Sequence, residues 1–507
     1  MTTIAGTNPY TGERLEPVAS ESSSADIARI VINAGKAFPY LDSLGRAGRA
    51  GLLETIADSL DLNAEELIRA ADEETGIGTV RLTGELKRAS YQMRFFAGVL
   101  KEGSYLEASI DTAGETPMGP RPDLRRILQP IGPVAVFGSS NFPFAFSVIG
   151  GDTASALATG CPVVLKAHSS HPKTSQISFN IMMTAASNYG APEGILGLVF
   201  GQKAGTALVS HPLIQAVGFT GSLSGGSALM DAISRRPQPI PFYGELSSLN
   251  PLVVTQNAAT ERATDIGAGL AMSLTTSAGQ LCTKPGVVFV PKGPQGDAVV
   301  TSLSNELATS AVSPLLNRRI FESYGVITGS LEDHDDIEKV AIGKIADKGG
   351  FRVTPALYSI DASLLRPKTI EECFGPSAVI VRYADQPELE NALMMIEHSL
   401  TMTIHTGSND DEITERLTEL GRARAGRIIY NGYPTGVSVG WAQTHGGPWP
   451  STNSLHTSVG ATAVRRFLRP VTYQDAPAAI LPDELKDGVV AVPTRVNGQL
   501  HLPQTQS

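Results

Sequence analysis

With 507 residues, the chain is too long for one simple hydrophobic core, and we expect two or three domains. Its 42% hydrophobic and 18% charged residues are typical of a globular α/β protein. A net charge of −10 at pH 7 argues against a surface that binds nucleic acid or anionic lipid. The three cysteines are too few for a disulfide framework, and no C-x-x-C pair occurs.

The sequence shows no basic segment followed by an apolar stretch at its start, and no apolar run long enough to span a membrane. Together with the few cysteines, this predicts a cytoplasmic protein. We therefore expect a small molecule as its partner, and neither nucleic acid nor a membrane.

The region before residue 110 has a mainly helical pattern. Residues 46–75 carry apolar side chains at helical spacing, and Gly76 is expected to end that helix. Residues 111–126 are rich in glycine, proline and charge, and they predict a loop.

Strand-like and helix-like segments then alternate: 133–138, 143–160, 162–167, 174–190, 195–201, 204–212, 216–221 and 226–236. This order predicts βαβ units with right-handed crossovers and a parallel sheet. A second α/β region runs from about 248 to 445, and strand-like pieces such as 465–474 follow it.

One cysteine lies where a loop is expected. Cys282 stands in 275-TTSAGQLCTKPG-286, between an apolar helical run and the strand-like 286-GVVFVP-291. A buried structural thiol is the commonest role of a free cysteine. The polar and small neighbours favour a reactive thiol instead, whereas Cys161 and Cys373 are expected to pack in the core.

The loops after parallel strands are where a nucleotide is expected to bind. The turn 219-FTGSLSGG-226 follows a predicted strand and precedes a predicted helix, so it suits a diphosphate, although an ordinary turn has the same composition. The sequence contains no G-x-G-x-x-G. His168 and His171 lack the further ligands that zinc needs, and we expect no metal site.

Four short motifs occur together in this order: 139-SSNFPF-144, 243-YGELSSLNP-251, 279-GQLC-282 and 371-EECFGP-376. With them, the chain resembles the aldehyde dehydrogenase superfamily over nearly its whole length. The resemblance implies an α/β fold with a Rossmann-type cofactor domain, an α/β catalytic domain and a small β oligomerisation arm. The expected cofactor domain spans 1–110 and 131–247, the catalytic domain 248–460, and the arm and C-terminal tail 111–130 and 461–507.

The resemblance implies that Cys282 is the nucleophile and forms a thioester. It also implies that the side-chain amide of Asn141 and the backbone N–H of Cys282 stabilise the alkoxide, and that Glu245 activates water. We expect a cationic or dipolar neighbourhood to lower the pKa of Cys282. We expect burial in 239-PIPFYGEL-246 to raise the pKa of Glu245. Where the family has two glycines and a lysine after this Glu-Leu, the chain has Ser247, Ser248 and Leu249.

The resemblance also implies a nicotinamide cofactor. The residues that match the family's cofactor contacts, together with their neighbours in the expected site, are Lys166, Ser169, Lys203, Gly221, Ser222, Glu372 and Phe374. NAD-preferring members often carry a glutamate where this chain has Ser169. We therefore expect NADP to be accepted at least as well as NAD.

Within the superfamily, three longer segments indicate a particular subgroup: 150–175, 434–454 and 464–475. They are similar to the α-ketoglutaric semialdehyde (2,5-dioxovalerate) dehydrogenases of sugar-acid catabolism and to their NADP-dependent medium- and long-chain aldehyde relatives. A semialdehyde carboxylate calls for a cation, and Arg88 matches a position that faces the substrate tunnel, with Phe142 as a second substrate contact. The alternative is that Arg88 is a solvated charge on a helix and does not contact the substrate.

Two other functions were weighed against aldehyde oxidation. A cysteine hydrolase or acyltransferase would need a histidine base beside Cys282, and no motif singles one out. A non-catalytic member of the fold would not need Asn141, Glu245 and Cys282 together.

The oligomerisation arm that the resemblance implies predicts that the protein is a homodimer or homotetramer.

Overall fold

The computed structural model describes residues 2–347, 349–488 and 490–503. Its first strands form an antiparallel hairpin, β1 (Thr3–Thr7) and β2 (Arg14–Ser20). Four helices follow: α1 (Ser24–Ser43), α2 (Gly45–Leu62), α3 (Ala64–Thr75) and α4 (Thr79–Glu102). As the sequence predicts, Gly76 ends α3, and its φ of 60° is a left-handed conformation that glycine adopts without strain.

The segment expected to be a loop over 111–126 contains strands instead. They are β3 (Ser109–Asp111), β4 (Gly114–Thr116), β5 (Gly119–Arg121) and β6 (Leu124–Pro130). The prediction was wrong because the partners that pair with β3 and β6 lie at the other end of the chain.

The predicted βαβ alternation is confirmed between residues 134 and 245. Its elements are β7 (Val134–Phe137), α5 (Gly151–Thr159), β8 (Val163–Lys166), α6 (Pro172–Asn188), β9 (Leu196–Val199), α7 (Gln202–Ser210), β10 (Ala216–Thr220), α8 (Leu223–Ser234) and β11 (Phe242–Glu245). The sheet order is β11-β10-β7-β8-β9, with every pair parallel. The helix expected over 143–160 begins only at Gly151, because residues 144–150 form turns.

The second α/β region forms a seven-stranded sheet. Its elements are β12 (Leu252–Val254), α9 (Gln256–Thr275), β13 (Val287–Pro291), α10 (Pro294–Thr309), α11 (Arg318–Glu332), β14 (Glu338–Ile342), β15 (Ala356–Asp361), β16 (Ser377–Tyr383), α12 (Gln386–Met395), β17 (Ser399–His405), α13 (Asp411–Arg424) and β18 (Ala425–Tyr430). The order is β14-β15-β16-β13-β12-β17-β18, and only β14 with β15 is antiparallel.

Three strands near the C-terminus complete a smaller sheet: β19 (Leu468–Gln474), β20 (Thr494–Val496) and β21 (Gln499–His501). Its order is β19-β6-β3-β20-β21, so residues from both ends of the sequence share it.

The two large sheets meet where the functional motifs lie. Only a short segment joins β11, which ends at Glu245, to β12, which begins at Leu252. Cys282 lies in the loop before β13, on the side of the second sheet. No helix in the described part of the chain is long and apolar enough to cross a bilayer.

Candidate active site

The loop that carries Cys282 has an unusual backbone. Ser277 and Ala278 have φ angles of 54° and 53°, and Gly279 has a φ of 68°. A Cβ at Gly279 would lie 2.3 Å from the carbonyl oxygen of Gly375. Glycine is therefore needed here, because it permits this close approach of the Cys282 loop to the loop after β15.

Asn250 holds the same loop from the other side. Its buried Nδ2 donates to the carbonyl oxygens of Cys282, at 2.8 Å, and Lys284, at 3.0 Å. Sequence reasoning quoted Asn250 within a motif but gave it no role, because these contacts join residues more than thirty positions apart.

Asn141 is buried and reaches the Cys282 loop. Its Nδ2 donates to the carbonyl oxygen of Gln280 at 2.9 Å, which uses one of its two N–H groups. The carbonyl oxygen of Asn141 accepts a hydrogen bond from Nη2 of Arg81 at 2.8 Å. Arg81 thus anchors the backbone at Asn141, and the side-chain amide keeps one N–H free for an oxyanion.

Cys282 and Glu245 meet around a third side chain, His445. Nε2 of His445 lies 2.8 Å from Oε1 of Glu245 and 3.5 Å from Sγ of Cys282. Oγ of Ser458 donates to Oε2 of Glu245 at 3.0 Å. Glu245 and His445 are buried, and Cys282 is partly buried.

Sequence reasoning missed His445. Residues 434–454 were recognised as a similar segment, but nothing in them indicated that the histidine lies beside Cys282, 163 positions away. A histidine therefore lies beside Cys282, as a cysteine hydrolase would need, although no sequence motif singles it out.

The expected rise in the pKa of Glu245 is wrong. Burial does raise it, but the charge and hydrogen bond of His445, with hydrogen bonds from Cys282 and Ser458, outweigh burial and hold the pKa below its ordinary value. Glu245 is therefore ionised at neutral pH.

The expected fall in the pKa of Cys282 is also wrong for this arrangement. Burial and the adjacent Glu245 carboxylate raise the pKa of the thiol well above its ordinary value, and Arg88 offsets them only in part. The resting site thus pairs a neutral thiol with an ionised carboxylate, so a thiolate forms by transferring its proton to a neighbour.

A cleft of about 400 Å³ opens beside this cluster. It brings together most of the predicted residues, and its lining includes Asn141, Ser169, Gly221, Ser222, Glu245, Cys282, Glu372 and Phe374. The predicted residues Lys166, Lys203, Arg88 and Phe142 are not among its lining residues.

The glycine-rich turn after β10 faces the cleft. Ser222 caps α8, with its Oγ accepting from the N–H of Gly225 at 3.2 Å. The N–H of Gly221 donates to the carbonyl oxygen of Glu245 at 3.0 Å, which ties the turn to the catalytic strand. The free N–H groups and positive dipole end of α8 suit a diphosphate.

The carboxyl ends of β8 and β9, with the loops that follow them, carry three predicted cofactor residues: Lys166, Ser169 and Lys203. Lys166 is the last residue of β8 and pairs with Val199, the last residue of β9, so the loops that follow run side by side. Ser169 is exposed in the first loop, and Lys203 is exposed at the start of α7. Burial lowers the pKa of Lys166.

Glu372 is held by a residue that departs from the family pattern. Oγ of Ser247 donates to Oε2 of Glu372 at 2.6 Å. Oγ of Ser248 donates to Oδ1 of Asn250 at 2.7 Å. Ser247 thus holds Glu372, and Ser248 holds Asn250, which in turn holds the Cys282 loop.

The N-terminus of α11 brings two unpredicted polar side chains to the cleft. Nδ2 of Asn317 donates to Oγ of Ser170 at 2.8 Å. Nη2 of Arg319 lies 3.5 Å from Oγ of Ser224, next to the glycine-rich turn. Arg319 is the one arginine or lysine in the described lining of the cleft.

Arg88 lies on α4, close to the catalytic cluster. Its Nε donates to Oε1 of Gln92 at 3.2 Å, and its guanidinium lies 5.0 Å from the ring centre of Phe146. Its Nη2 is buried without a hydrogen-bond partner among the described residues. Burial lowers the pKa of Arg88, and the charges of Glu85, Cys282 and Glu245 raise it.

Phe142 lies in an apolar cluster beside Arg88. Its ring packs edge-on against Phe146 with 5.2 Å between centroids, and the guanidinium of Arg81 lies 4.5 Å from its ring centre. The rest of the cluster consists of Ala145, Val437, Val439 and Val459.

Residues 1–470 match the model of the aldehyde dehydrogenase family. The chain belongs to this family. The expected family, fold class and enzyme type are confirmed, and the protein is an aldehyde dehydrogenase of the NAD(P)-dependent kind.

Two relatives match almost the whole chain. Alpha-ketoglutaric semialdehyde dehydrogenase 2 of Azospirillum brasilense is 42% identical over 98% of this chain and 96% of its own length. Alpha-ketoglutaric semialdehyde dehydrogenase of Acinetobacter baylyi is 40% identical over 95% of this chain and 92% of its own length.

Solved structures show the same fold at low identity. A methylmalonate-semialdehyde dehydrogenase from Oceanimonas doudoroffii has a TM-score of 0.80 at 22% identity, covering 94% of this chain and 95% of that chain. An NADP-dependent enzyme of E. coli has a TM-score of 0.79 at 23% identity, covering 93% and 94%.

Proposed function

We propose that this aldehyde dehydrogenase oxidises α-ketoglutaric semialdehyde to 2-oxoglutarate in sugar-acid catabolism, through a thioester on Cys282 and with NADP as the favoured cofactor. The observation that carries the proposal is the cluster of Cys282, His445 and Glu245 beside the Asn141 amide, with Arg88 close by. Both full-length relatives are named α-ketoglutaric semialdehyde dehydrogenases, which supports the semialdehyde over a long-chain alkyl aldehyde.

In the first step Cys282 attacks the aldehyde carbon. The ionised Glu245 takes the thiol proton as the C–S bond forms, so the high resting pKa of Cys282 is no obstacle. The free N–H of Asn141 and the backbone N–H of Cys282 donate to the alkoxide. Removing one such donor typically costs about 10²–10³ in rate.

The described residues fit a nicotinamide cofactor. When bound, NAD(P)⁺ supplies the acceptor for the hydride that the alkoxide loses. The N-terminus of α8 with Ser222, and Arg319 opposite it, would hold the diphosphate. Glu372 would hold the ribose next to the nicotinamide, with Phe374 packed against it.

After hydride transfer, Glu245 passes the thiol proton to solvent, and the ionised carboxylate then acts as the base for hydrolysis. A carboxylate with a pKa below its ordinary value is ready to accept a proton from water throughout the neutral range. His445 keeps the carboxylate oriented through the 2.8 Å hydrogen bond. Water attack on the thioester releases the acid and restores the Cys282 thiol.

The cysteine-hydrolase alternative has less support. In a cysteine–histidine–acid triad, the acid binds the ring nitrogen that does not face the nucleophile. Here the same Nε2 faces both Cys282 and Glu245. Hydrolysis of an added thioester without cofactor, as fast as aldehyde oxidation with it, would favour the hydrolase.

Arg88 supports a substrate that carries a carboxylate. Leaving the semialdehyde carboxylate unpaired in a largely apolar site would cost several kcal/mol. The buried and unpartnered Nη2 of Arg88 is the kind of donor that such a carboxylate needs.

The test compares Arg88→Met with Lys87→Met, an exposed cation on the same helix. We expect Arg88→Met to lower kcat/KM for semialdehydes, because a desolvated charged pair is lost. The corresponding activation free energy should rise by about 2–5 kcal/mol. Alkyl aldehydes should be spared, and Lys87→Met should resemble wild type. Equal losses on both substrate classes would identify a structural arginine and shift the proposal to alkyl aldehydes.

The cofactor preference has its own test. Ser169 brings no carboxylate to repel a 2′-phosphate, and Lys166 and Lys203 lie along the same sheet edge. Wild type should use NADP at least as well as NAD, and Ser169→Glu should lower kcat/KM for NADP selectively. A wild-type enzyme that uses NAD alone would contradict this account of the adenosine pocket.

A further inference from the structure

The catalytic cluster also has the composition of a metal site. Sγ of Cys282, Nε2 of His445 and a carboxylate oxygen of Glu245 lie within 4.8 Å of one another. We propose that these three side chains bind a borderline-soft divalent cation of the Zn²⁺ class, which inhibits the enzyme reversibly. The sequence predicted no metal site, because it did not connect His445 with Cys282.

The two distances from His445 Nε2 can be compared with those of tetrahedral coordination. With Zn–S of about 2.3 Å and Zn–N and Zn–O of about 2.1 Å, tetrahedral angles place N and S about 3.6 Å apart and N and O about 3.4 Å apart. Nε2 and Sγ are already 3.5 Å apart. Nε2 and Oε1, at 2.8 Å, need to separate by about 0.6 Å, which occurs once the ion replaces the proton between them.

The charges also suit a divalent ion. A thiolate, a carboxylate and a neutral imidazole together balance two positive charges, and three ligands leave the fourth position open for water. Ser458 holds the second oxygen of Glu245 at 3.0 Å and would keep the carboxylate oriented. Among nearby charges, Arg88 opposes a cation, and Glu372 favours one.

Metal binding would remove the nucleophile and the base in a single event. The ion displaces the thiol proton and the proton between His445 and Glu245, so its affinity should rise with pH. Ca²⁺ and Mg²⁺ prefer all-oxygen ligands and should not compete. Because His445 is a ligand as well, this site differs from zinc binding to a single thiol.

The experiment titrates the full-length reduced protein with Zn²⁺ in a metal buffer by calorimetry, without aldehyde or cofactor. Wild type should bind one ion, and His445→Asn and Cys282→Ala should each weaken binding by at least about a hundredfold, since each loses a direct ligand. His334→Asn, outside the cleft, is the control and should bind as wild type. Co²⁺ should give a thiolate charge-transfer band in wild type that both site variants lack.

Activity provides a second readout. Buffered Zn²⁺ should inhibit wild-type oxidation, and a chelator should restore it, while Mg²⁺ at the same concentration has no effect. Unchanged zinc affinity in folded His445→Asn, or in folded Cys282→Ala, would overturn the proposal. Because binding is measured without substrate, a wrong assignment of the aldehyde leaves this test intact.

Discussion

At the scale of single residues, His445 decides the protonation of the site. Glu245 is only 3% exposed, and burial by itself raises its pKa, which disfavours the ionised form that a base needs. The hydrogen bond from His445 reverses that effect. The same carboxylate then raises the pKa of Cys282. The pKa of Glu245 and the pKa of Cys282 therefore depend on each other.

We expect His445→Asn to move the acid limb of the kcat–pH profile to higher pH. In wild type, the depressed pKa of Glu245 keeps the base ionised as the pH falls; without His445, burial dominates and the pKa rises. Activity should then be lost at a pH where wild type is still active.

The measurement is kcat from pH 5 to 9 for the variant, for wild type and for His456→Asn. His456 is an exposed histidine of the same segment that makes no hydrogen bond to Glu245 in the described structure. An acid limb that stays in place in His445→Asn would contradict the role given to His445.

At the scale of elements, α4 positions the turn that carries Asn141. Oε1 of Glu85 accepts hydrogen bonds from the N–H groups of Phe144 and Ala145, at 2.8 and 3.0 Å. Arg81 on the same helix holds the carbonyl oxygen of Asn141. One helix thus anchors the backbone of the turn at Asn141 and also carries Arg88.

The conformation of the Cys282 loop depends on the glycine at position 279. Gly279→Ala should lower kcat by about 10²-fold, because a Cβ 2.3 Å from the carbonyl oxygen of Gly375 must displace the loop that carries the nucleophile. Its φ of 68° adds strain for any residue with a Cβ.

Gly84→Ala is the matched control, since Gly84 is an exposed residue of α4 and a Cβ there would meet no atom within 4 Å. It should retain activity and raise Tm slightly, because alanine favours a helix over glycine. Steady-state kinetics and thermal unfolding measure both variants, and a Gly279→Ala enzyme with wild-type kcat would refute the steric argument.

At the scale of the whole molecule, two sheets present a free edge. Strand β18 is an edge strand of the seven-stranded sheet. Strand β19 is an edge strand of the sheet with the order β19-β6-β3-β20-β21. Large apolar side chains are exposed at the end of β18 and in the segment that follows it in the chain, namely Tyr430, Trp441, Trp449 and Leu455. Free edges and apolar patches are normally covered, and a second copy of the chain would cover them.

We therefore predict a homo-oligomer of even order. Light scattering over a dilution series should give a dimer or tetramer mass at micromolar concentration, and a monomer mass would contradict it. The cytoplasmic location likewise stays a prediction, which fractionation of the producing cells would check.

The sequence by itself determined the elements and residues whose information is local. Alternating apolar runs predicted the parallel sheet from β7 to β11, because hydrophobic periodicity is set by neighbours in the chain. Short motifs singled out Cys282, Asn141 and Glu245, and the structure brings all three to one cleft. The turn before α8 was likewise recognisable from its glycines.

Features that depend on distant partners became visible in the folded chain. The tertiary structure placed His445 beside Cys282 and Asn250 beneath the Cys282 loop, and it turned the expected loop at 111–126 into strands that pair with the C-terminal region. It also reversed the expected pKa of Glu245 and that of Cys282. The physical reason is common to these cases: strand pairing and electrostatic effects act through space, and a linear sequence does not state which residues are close.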